Sequence, residues 1–144
     1  MRDPKQIYEA KLKAVKASST TPRSAVFNAL LQSDHEPMTM AELTAAVKSV
    51  ADRTSVYRTV ELFESIGIIT RLQIGWKYKL ELSDDFHEHH HHITCTKCGA
   101  THATHDDHAF ESEIEKLAAK HGYTLTNHYL EISGVCNNCL STNK

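Results

Sequence analysis

The chain has 144 residues, 40% hydrophobic and 24% charged, so it can form one ordinary domain or two small ones. It has no run of about 18 apolar residues and no apolar signal core at its start, which argues against a membrane-spanning or secreted protein. We therefore expect a cytoplasmic protein. In that reducing compartment its four cysteines would be thiols or metal ligands rather than disulfides.

The net charge of −2 is unevenly distributed along the chain. Residues 1–82 carry a surplus of three positive charges, and residues 83–144 carry a surplus of five negative charges. Chance alone can produce such an imbalance. It also fits a half that faces nucleic acid, joined to a half with a different task.

Two amphipathic helices are predicted at the start of the chain. The first covers residues 5–17, where apolar residues recur at helical spacing. The second begins near Pro22, a residue suited to a first helical turn, with Thr21 as its cap.

Two more helices and a hairpin complete the first half. Thr39, followed three residues later by Glu42, has the capping-box pattern of a third helix. Asp52 is the predicted cap of a fourth helix, which Gly67 ends. The segments on either side of Gly75 are predicted to be strands joined by a tight connection. Helices followed by a hairpin are typical of a winged helix-turn-helix domain.

A smaller unit with strands and one helix is predicted in the second half. Residues 89–95 and 100–104 are expected to be paired strands, and residues 109–121 a helix with one buried apolar face. Residues 123–132 are expected to form a long strand. Its apolar phase changes near Asn127, which predicts a bulge.

Two Cys-x-x-Cys pairs lie at the beginning and the end of the second unit: Cys95 with Cys98, and Cys136 with Cys139. Each turn brings two sulfurs to one side, so together they offer four thiolates to a tetrahedral Zn²⁺ at about 2.3 Å. Such an ion would fasten a unit that is small enough to need one. A redox dithiol is the alternative, but two matched pairs favour structural zinc.

Four consecutive histidines precede the first cysteine pair. On a strand, His89 and His91 would point to one face and His90 and His92 to the other, so one strand could serve two metal sites. A solvated polar strand is the alternative. Further ligands would have to come from elsewhere in the chain. The candidates are His35 and Glu81 in the first unit, Glu111 at the border of the apolar face of the predicted helix, and His128 where the long strand changes phase.

The start of the fourth helix is rich in residues that can contact DNA. Helix-turn-helix proteins reach base edges and phosphates from this position, and arginine, tyrosine and threonine all make such contacts. A solvated helix end is the alternative. The residues concerned are Arg53, Thr54, Ser55, Tyr57 and Arg58.

Together these segments resemble the ferric uptake regulator family of metal-dependent transcriptional repressors. The matching stretches are TTPR, SVYRTVELFESIGII, WKYKLEL, HHHHITCTKCG, LAAKHGYTLTNH and CNNC, which span nearly the whole chain. The resemblance implies an α+β protein with a winged-helix DNA-binding domain over residues 1–82, a hinge over 83–88, and an α/β dimerisation and metal-binding domain over 89–144. It also implies a homodimer that binds double-stranded operator DNA when loaded with metal, and neither an enzyme nor a membrane protein nor a binder of small-molecule substrates.

The resemblance also assigns residues by motif. The structural zinc ligands would be Cys95, Cys98, Cys136 and Cys139. A regulatory Fe²⁺ or Zn²⁺, with Mn²⁺ as a further option, would be bound by His35, Glu81, His90, His92 and, where many members have a carboxylate, His102. A second metal would be bound by His89, His91, Glu111 and His128, although members often have Asp in place of His91. DNA contacts would come from Lys16, Arg23, Thr54, Ser55, Tyr57 and Arg58.

The predicted regulatory site draws ligands from both halves of the chain. A bound ion would therefore favour one arrangement of the two domains and fix the spacing of the recognition helices in a dimer. Moving an equilibrium from 1:99 to 99:1 takes about 5.5 kcal/mol of preferential binding, which a site with several ligands can supply. The alternatives are a peroxide- or manganese-sensing member of the family, a metal buffer that does not bind DNA, and a zinc hydrolase, for which we find no general-base signature.

Overall fold

The structure is a computed structural model that describes residues 3–74, 77–104 and 108–142. It divides into two compact units, Met1–Glu88 and His89–Lys144. None of the helices in these described ranges is long and apolar enough to span a bilayer. The predicted hairpin connection at Gly75 lies outside the described residues. The elements in chain order are α1 (Pro4–Ala14), α2 (Thr21–Gln32), α3 (Met40–Val47), α4 (Arg53–Ser65), β1 (Ile69–Ile74), β2 (Lys77–Leu82), β3 (His91–Cys95), β4 (Thr101–Thr104), α5 (His108–Lys120), β5 (Glu131–Gly134) and α6 (Asn137–Ser141).

The helix starts in the first unit follow local capping signals. Pro22 lies in the first turn of α2 as predicted, but the helix begins at Thr21 and its cap is Thr20. The predicted capping box of α3 is confirmed. The backbone N–H of Glu42 donates to Thr39 Oγ1 at 3.2 Å, and the backbone N–H of Thr39 donates to Glu42 Oε2 at 2.7 Å.

The capping box gives a pH-dependent prediction. The backbone hydrogen bond from Thr39 holds the pKa of Glu42 below its ordinary value. The carboxylate therefore stabilises the fold at pH values above its unfolded pKa, and this contribution is lost as the pH falls through the lower folded value. Glu42→Gln keeps a capping oxygen but removes the charge near the helix N-terminus, so we expect it to reduce the free energy of unfolding by about 0.3–1 kcal/mol at neutral pH, with the difference disappearing in acid.

Chemical denaturation of the wild type and the Glu42→Gln variant between neutral and acidic pH measures this difference. Glu9→Gln is the matched control, because it removes an exposed carboxylate of α1 that caps no helix. An equal loss in both variants, or a loss from Glu42→Gln that persists in acid, would contradict the role of the capping box.

Helix α4 and the hairpin behind it form the predicted winged arrangement. The backbone N–H of Ser55 donates to Asp52 Oδ1 at 2.7 Å, which confirms the predicted cap of α4. Gly67 follows the helix end with a φ of +69°, a left-handed conformation that favours glycine. The buried face of α4 consists of Val56, Thr59, Val60 and Phe63.

Strands β1 and β2 pair antiparallel, with Ile69 opposite Leu82. The hairpin is fastened to α4 by Arg71, whose guanidinium donates to both carboxylate oxygens of Glu64 at 2.7 and 2.8 Å. The same guanidinium lies 4.1 Å from the ring centroid of Tyr78. The hairpin is therefore joined to α4 by Arg71.

The core of the first unit extends into the predicted hinge segment. The ring of Tyr8 stacks on Phe27 with centroids 4.3 Å apart, and Phe86 lies against Phe27 at 5.5 Å. Phe86 is only 4% exposed. Lys11 Nζ forms an ion pair with Asp85 Oδ2 at 2.6 Å. The chain immediately before His87 is thus anchored to the first unit.

The second unit is built on a three-stranded sheet in the order β4–β3–β5. Strand β4 pairs antiparallel with β3, as predicted, and β5 pairs parallel with it. Two strand predictions were wrong. Strand β3 begins at His91 rather than His89, and of the long strand predicted over 123–132 only its end is a strand, as part of Glu131–Gly134. In the described part of the chain, residues 123–130 pair with no strand. A bulge is an irregularity between two paired strands, so the bulge predicted near Asn127 is not present there.

Helix α5 matches its predicted position, and Gly122 follows it at a φ of +80°. Its predicted buried face was wrong for a single chain, because Phe110 is 39% and Leu117 60% exposed. Tyr129, beyond the helix, is 84% exposed. No element in the described part of the chain covers these side chains, so the second unit presents an open apolar surface.

Candidate metal centres and recognition helix

The sheet of the second unit brings the two cysteine pairs together. Strands β3 and β5 run parallel, with Cys95 opposite Gly134. The segments that follow the two strands therefore leave the sheet at the same end. Cys98 follows β3 in a turn that ends at Gly99, whose φ is +74°. Cys136 follows β5 and is the N-cap residue of α6, the short helix that carries Cys139.

The spacing of the four sulfurs fits a tetrahedral ion. The four Sγ atoms lie within 4.8 Å of one another, and Cys98 Sγ is 3.8 Å from Cys136 Sγ. Four ligands at the Zn–S distance of about 2.3 Å would lie roughly 3.8 Å apart. The donor set therefore fits Zn²⁺ in both chemistry and dimensions.

Two thiols of this cluster have pKa values shifted in opposite directions. A backbone hydrogen bond from Cys136, at 3.3 Å to Cys95 Sγ, and further backbone hydrogen bonds from Cys98 and Lys97 lower the pKa of Cys95 to about 6. Side-chain hydrogen bonds with Cys136 and Cys98 raise the pKa of Cys139 to about 12. One sulfur thus ionises readily and another resists ionisation, and a dication would stabilise all four as thiolates.

A second cluster joins three histidines and a glutamate on one side of the sheet. His91 Nε2 lies 2.7 Å from Glu111 Oε1, and His128 Nε2 lies 3.2 Å from Glu111 Oε2. His89 Nε2 is 3.2 Å from His128 Nε2, which is itself 3.5 Å from His91 Nε2. All four predicted ligands of the second metal site therefore converge, with their ligand atoms within 4.8 Å of one another.

This cluster also fits a divalent ion. Nitrogens bound to one tetrahedral Zn²⁺ at about 2.0–2.1 Å would be roughly 3.3 Å apart, close to the spacings among the three Nε2 atoms. The cluster borders a cavity of about 340 Å³, which provides a route for an ion. Burial raises the pKa of Glu111, but the hydrogen bond with His91 and the nearby His128, His91 and His89 outweigh it, leaving the pKa below its ordinary value.

The residues predicted for the regulatory site occupy defined positions in each unit. In the second unit, the rings of His90 and His92 lie 4.7 Å apart, and His92 is 5% exposed. In the first unit, Glu81 is 7% exposed on β2, opposite Thr70. His35 lies in the loop after α2 with a φ of +67°.

His102 was wrongly predicted as a partner of His92. In the antiparallel pairing of β3 with β4, His102 is opposite Ile93, whereas Ala103 is opposite His92. Paired residues share a face and neighbours along a strand alternate, so His102 is on the face opposite to His92. The strand register, which the sequence does not reveal, decides this point.

One histidine was missed by the sequence analysis. His87 lies in the first unit with its ring centroid 4.9 Å from that of His35, and the two rings are nearly perpendicular at 89°. Its Nε2 is 2.6 Å from the carbonyl oxygen of Leu82. The only sequence signal was its place two residues before His89, the same spacing that separates the other paired histidines.

None of the predicted DNA-contact residues of α4 belongs to its buried face. Thr54, Tyr57 and Arg58 are exposed, and Ser55 is half-buried beside the cap. The guanidinium of Arg53 lies 5.5 Å from the ring centroid of Tyr57, and a hydrogen bond with Tyr57 raises the pKa of Arg53. The helix therefore presents an exposed polar and cationic surface at its N-terminal end.

The two remaining predicted DNA contacts lie on either side of the α1–α2 loop: Lys16 just after α1 and Arg23 in the first turn of α2. Arg23 Nη1 donates to the carbonyl oxygen of Ser18 at 2.6 Å, which fixes the guanidinium beside the α1–α2 loop. Lys16 is exposed and has a φ of +55° just after α1. Both are cationic side chains available at the surface of the first unit.

Comparison with known proteins agrees with this arrangement. The sequence model of the ferric uptake regulator family matches residues 14–133. The chain is 32% identical over 129 residues to the ferric uptake regulation protein of Escherichia coli strain K12, covering 87% of this chain and 85% of that protein.

Solved structures of other proteins are also similar over most of the chain, and two of them serve as examples. One is the ferric uptake regulator of Vibrio cholerae, with a TM-score of 0.74 and 29% identity, covering 90% of this chain and 99% of that one. The other is a zinc-bound manganese uptake regulator, with a TM-score of 0.67 and 30% identity, covering 89% of this chain and 97% of that one.

Proposed function

Because the chain belongs to the ferric uptake regulator family of metal-responsive, DNA-binding transcriptional regulators, we propose that it represses metal-homeostasis genes as a metal-loaded homodimer on operator DNA. The observation that carries this proposal is the combination in one chain of a recognition helix with an exposed cationic end and two compact clusters of metal ligands. We assign it no catalytic role and expect it to act in the cytoplasm, where operators are found.

The DNA-binding proposal is supported by the surface of α4. Tyr57 and Arg58 are exposed and lie outside the buried face of α4, near the helix N-terminus that enters the major groove in helix-turn-helix proteins. Arg23, Thr54, Ser55 and Lys16 would add phosphate and base contacts. The surplus of positive charge in residues 1–82 favours the same polyanionic partner.

The homodimer proposal is supported by the open apolar surface of the second unit. Leu117 is 60%, Tyr123 73% and Tyr129 84% exposed, and exposure of several large apolar side chains in so small a unit favours a protein interface. A second copy of the chain would cover the apolar face of α5 and could pair with residues 123–130. Dimerisation would also place two recognition helices on successive half-sites of an operator.

The metal proposal assigns distinct tasks to the ligand sets. Zn²⁺ at Cys95, Cys98, Cys136 and Cys139 would hold the second unit together, and a second ion would bind at His89, His91, Glu111 and His128. The switch itself would use His35, Glu81, His90 and His92. An ion that takes ligands from both units binds one arrangement of the domains better than others and thereby selects it.

The ligand chemistry narrows the sensed ion to a small set of divalent metals. Histidine and carboxylate ligands accept Fe²⁺, Zn²⁺ and Mn²⁺, and Zn²⁺ has the highest intrinsic affinity of the three. The similar proteins carry the names of an iron regulator and of a zinc-bound manganese regulator. We propose Fe²⁺ or Zn²⁺ as the sensed ion, with Mn²⁺ as the alternative, and metal analysis of protein isolated from its own cells distinguishes them.

A titration of operator binding against free metal tests the proposed function. A mild chelator would strip the histidine sites of the dimer while leaving zinc in the cysteine site, and Zn²⁺, Fe²⁺ or Mn²⁺ would then be restored under buffered conditions. We expect operator affinity to rise by roughly 100-fold or more on metal addition, since a full shift between two states corresponds to about a 10⁴-fold preference. Equal affinity with and without metal would overturn the repressor proposal and leave metal buffering as the role.

A further inference from the structure

We propose that His87 is a metal ligand that acts together with His35 within the first unit. This inference rests on the proposed function, because it adds an imidazole to the metal-sensing apparatus of that unit. The family resemblance assigns no role to His87, so the inference depends on the surroundings of the two rings alone.

The spacing of the two rings matches that of the other histidine pairs in the chain. The His35 and His87 centroids are 4.9 Å apart. The pairs among the proposed ligands of the second unit span 4.7 to 5.1 Å. Two imidazoles on one tetrahedral ion, each with a metal–nitrogen distance of about 2.0–2.1 Å, would have centroids roughly 5 Å apart. The pair therefore has the dimensions of a two-histidine ligand set.

Both ring nitrogens of His87 lie near backbone carbonyl oxygens: Nε2 is 2.6 Å from the Leu82 oxygen and Nδ1 is 3.2 Å from the Glu88 oxygen. A neutral imidazole carries one N–H, and the shorter contact is the one expected to use it. Nδ1 would then bind an ion in exchange for its contact with the Glu88 carbonyl. Metal-binding histidines commonly donate their other N–H to a backbone carbonyl, which fixes the tautomer and the direction of the ring.

The segment that carries His87 is held firmly in place. Leu82 is 4% exposed at the end of β2, and Phe86, the residue before His87, is 4% exposed in the core of the first unit. On the other side, His35 is an exposed residue with a left-handed φ of +67°, in a turn where the N–H of Glu36 donates to the Ser33 carbonyl at 3.0 Å. A ligand pair on such anchored segments loses little conformational freedom on binding an ion.

Competition titrations of the full-length protein with Zn²⁺ and a chromophoric chelator test this proposal. We expect His87→Ala and His35→Asn each to weaken Zn²⁺ binding at the weaker, histidine-based sites by about tenfold or more, with the cysteine-bound zinc retained. Asparagine is chosen at position 35 because it tolerates a positive φ. His121→Ala, which removes an exposed histidine after α5, is the matched control.

Nitrogen NMR of the histidine rings provides a second measurement that a purely structural role would not affect. Long-range ¹H–¹⁵N spectra, assigned by comparison with His87→Ala, should show the Nε2–H tautomer for His87 in the metal-free protein. Addition of Zn²⁺ should shift its Nδ1 resonance. Unmoved His87 resonances, together with Zn²⁺ affinities of both variants equal to that of His121→Ala, would overturn the inference.

The two proposals fail in different experiments. Operator binding that does not depend on metal would overturn the repressor proposal, yet the zinc affinities would still decide whether His87 is a ligand. Conversely, metal-dependent operator binding that is equal in the wild type and in His87→Ala, with unchanged zinc affinity, would remove only the role of His87.

Discussion

Substitution of Cys98 by serine is expected to release the zinc proposed at the cysteine cluster and to unfold most of the second unit at a temperature where the wild type is folded. Structural zinc sites contribute about 10–16 kcal/mol, as much as the whole stability of a typical domain. Cys98 Sγ lies 3.8 Å from Cys136 Sγ, so the lost ligand joins the turn after β3 to the start of α6. The open apolar surface of this unit leaves little core to compensate.

Native mass spectrometry, which counts zinc ions per chain, and thermal unfolding followed by circular dichroism measure the outcome. Lys97→Ser is the matched control, because it changes an exposed residue of the same turn without removing a sulfur. The first unit has its own aromatic core around Phe27 and should keep its helical signal in both variants. A Cys98→Ser protein with full zinc content and an unchanged melting temperature would contradict the structural zinc site.

Charge reversal at Arg58 is expected to weaken operator binding strongly while leaving metal content intact. A contact of this kind is worth about 1–3 kcal/mol, and a dimer presents two copies, so operator affinity should fall by roughly 10²- to 10⁴-fold. Arg58 is exposed on α4, away from the buried side chains, so Arg58→Glu should not disturb the fold.

Fluorescence anisotropy with labelled operator DNA, beside metal analysis of the same samples, measures this effect. Lys120→Glu makes the same change of charge at an exposed position in the last turn of α5 and should alter affinity little. If both variants lost affinity equally, the effect would come from net charge rather than from a contact of α4. If neither did, the recognition helix would be wrongly assigned.

The first unit could be predicted well because its boundaries are set by nearby residues. The cap of α3 at Thr39 and the cap of α4 at Asp52 each depend on hydrogen bonds that span three residues. The left-handed position of Gly67 is also a local property. The second unit was predicted less well, because pairing of residues 123–130 and burial of Leu117 require surfaces that the described part of one chain does not supply.

The histidine clusters could also be predicted where neighbouring residues decide the geometry, and could not where contacts between distant residues decide it. Alternation along an extended chain predicted that His89 would approach His91 and that His90 would approach His92, and the rings lie 4.8 and 4.7 Å apart. The face of His102 depends on the register of β4, which no local pattern encodes. The approach of His87 to His35 joins residues 52 positions apart through the fold of the first unit, so the sequence could not reveal it.

Strand β3 makes the protein unusually sensitive to changes in chain length. His91 and His92 point to opposite faces of the sheet. Cys95, three residues after His92, belongs to the cluster of four cysteines. Inserting or deleting one residue before Cys95 would transfer each imidazole to the other side of the sheet, so both proposed histidine sites would be lost together. A point substitution in the same segment would alter only one of the two sites. The ion preference of one site could therefore change by substitution while the other site is kept.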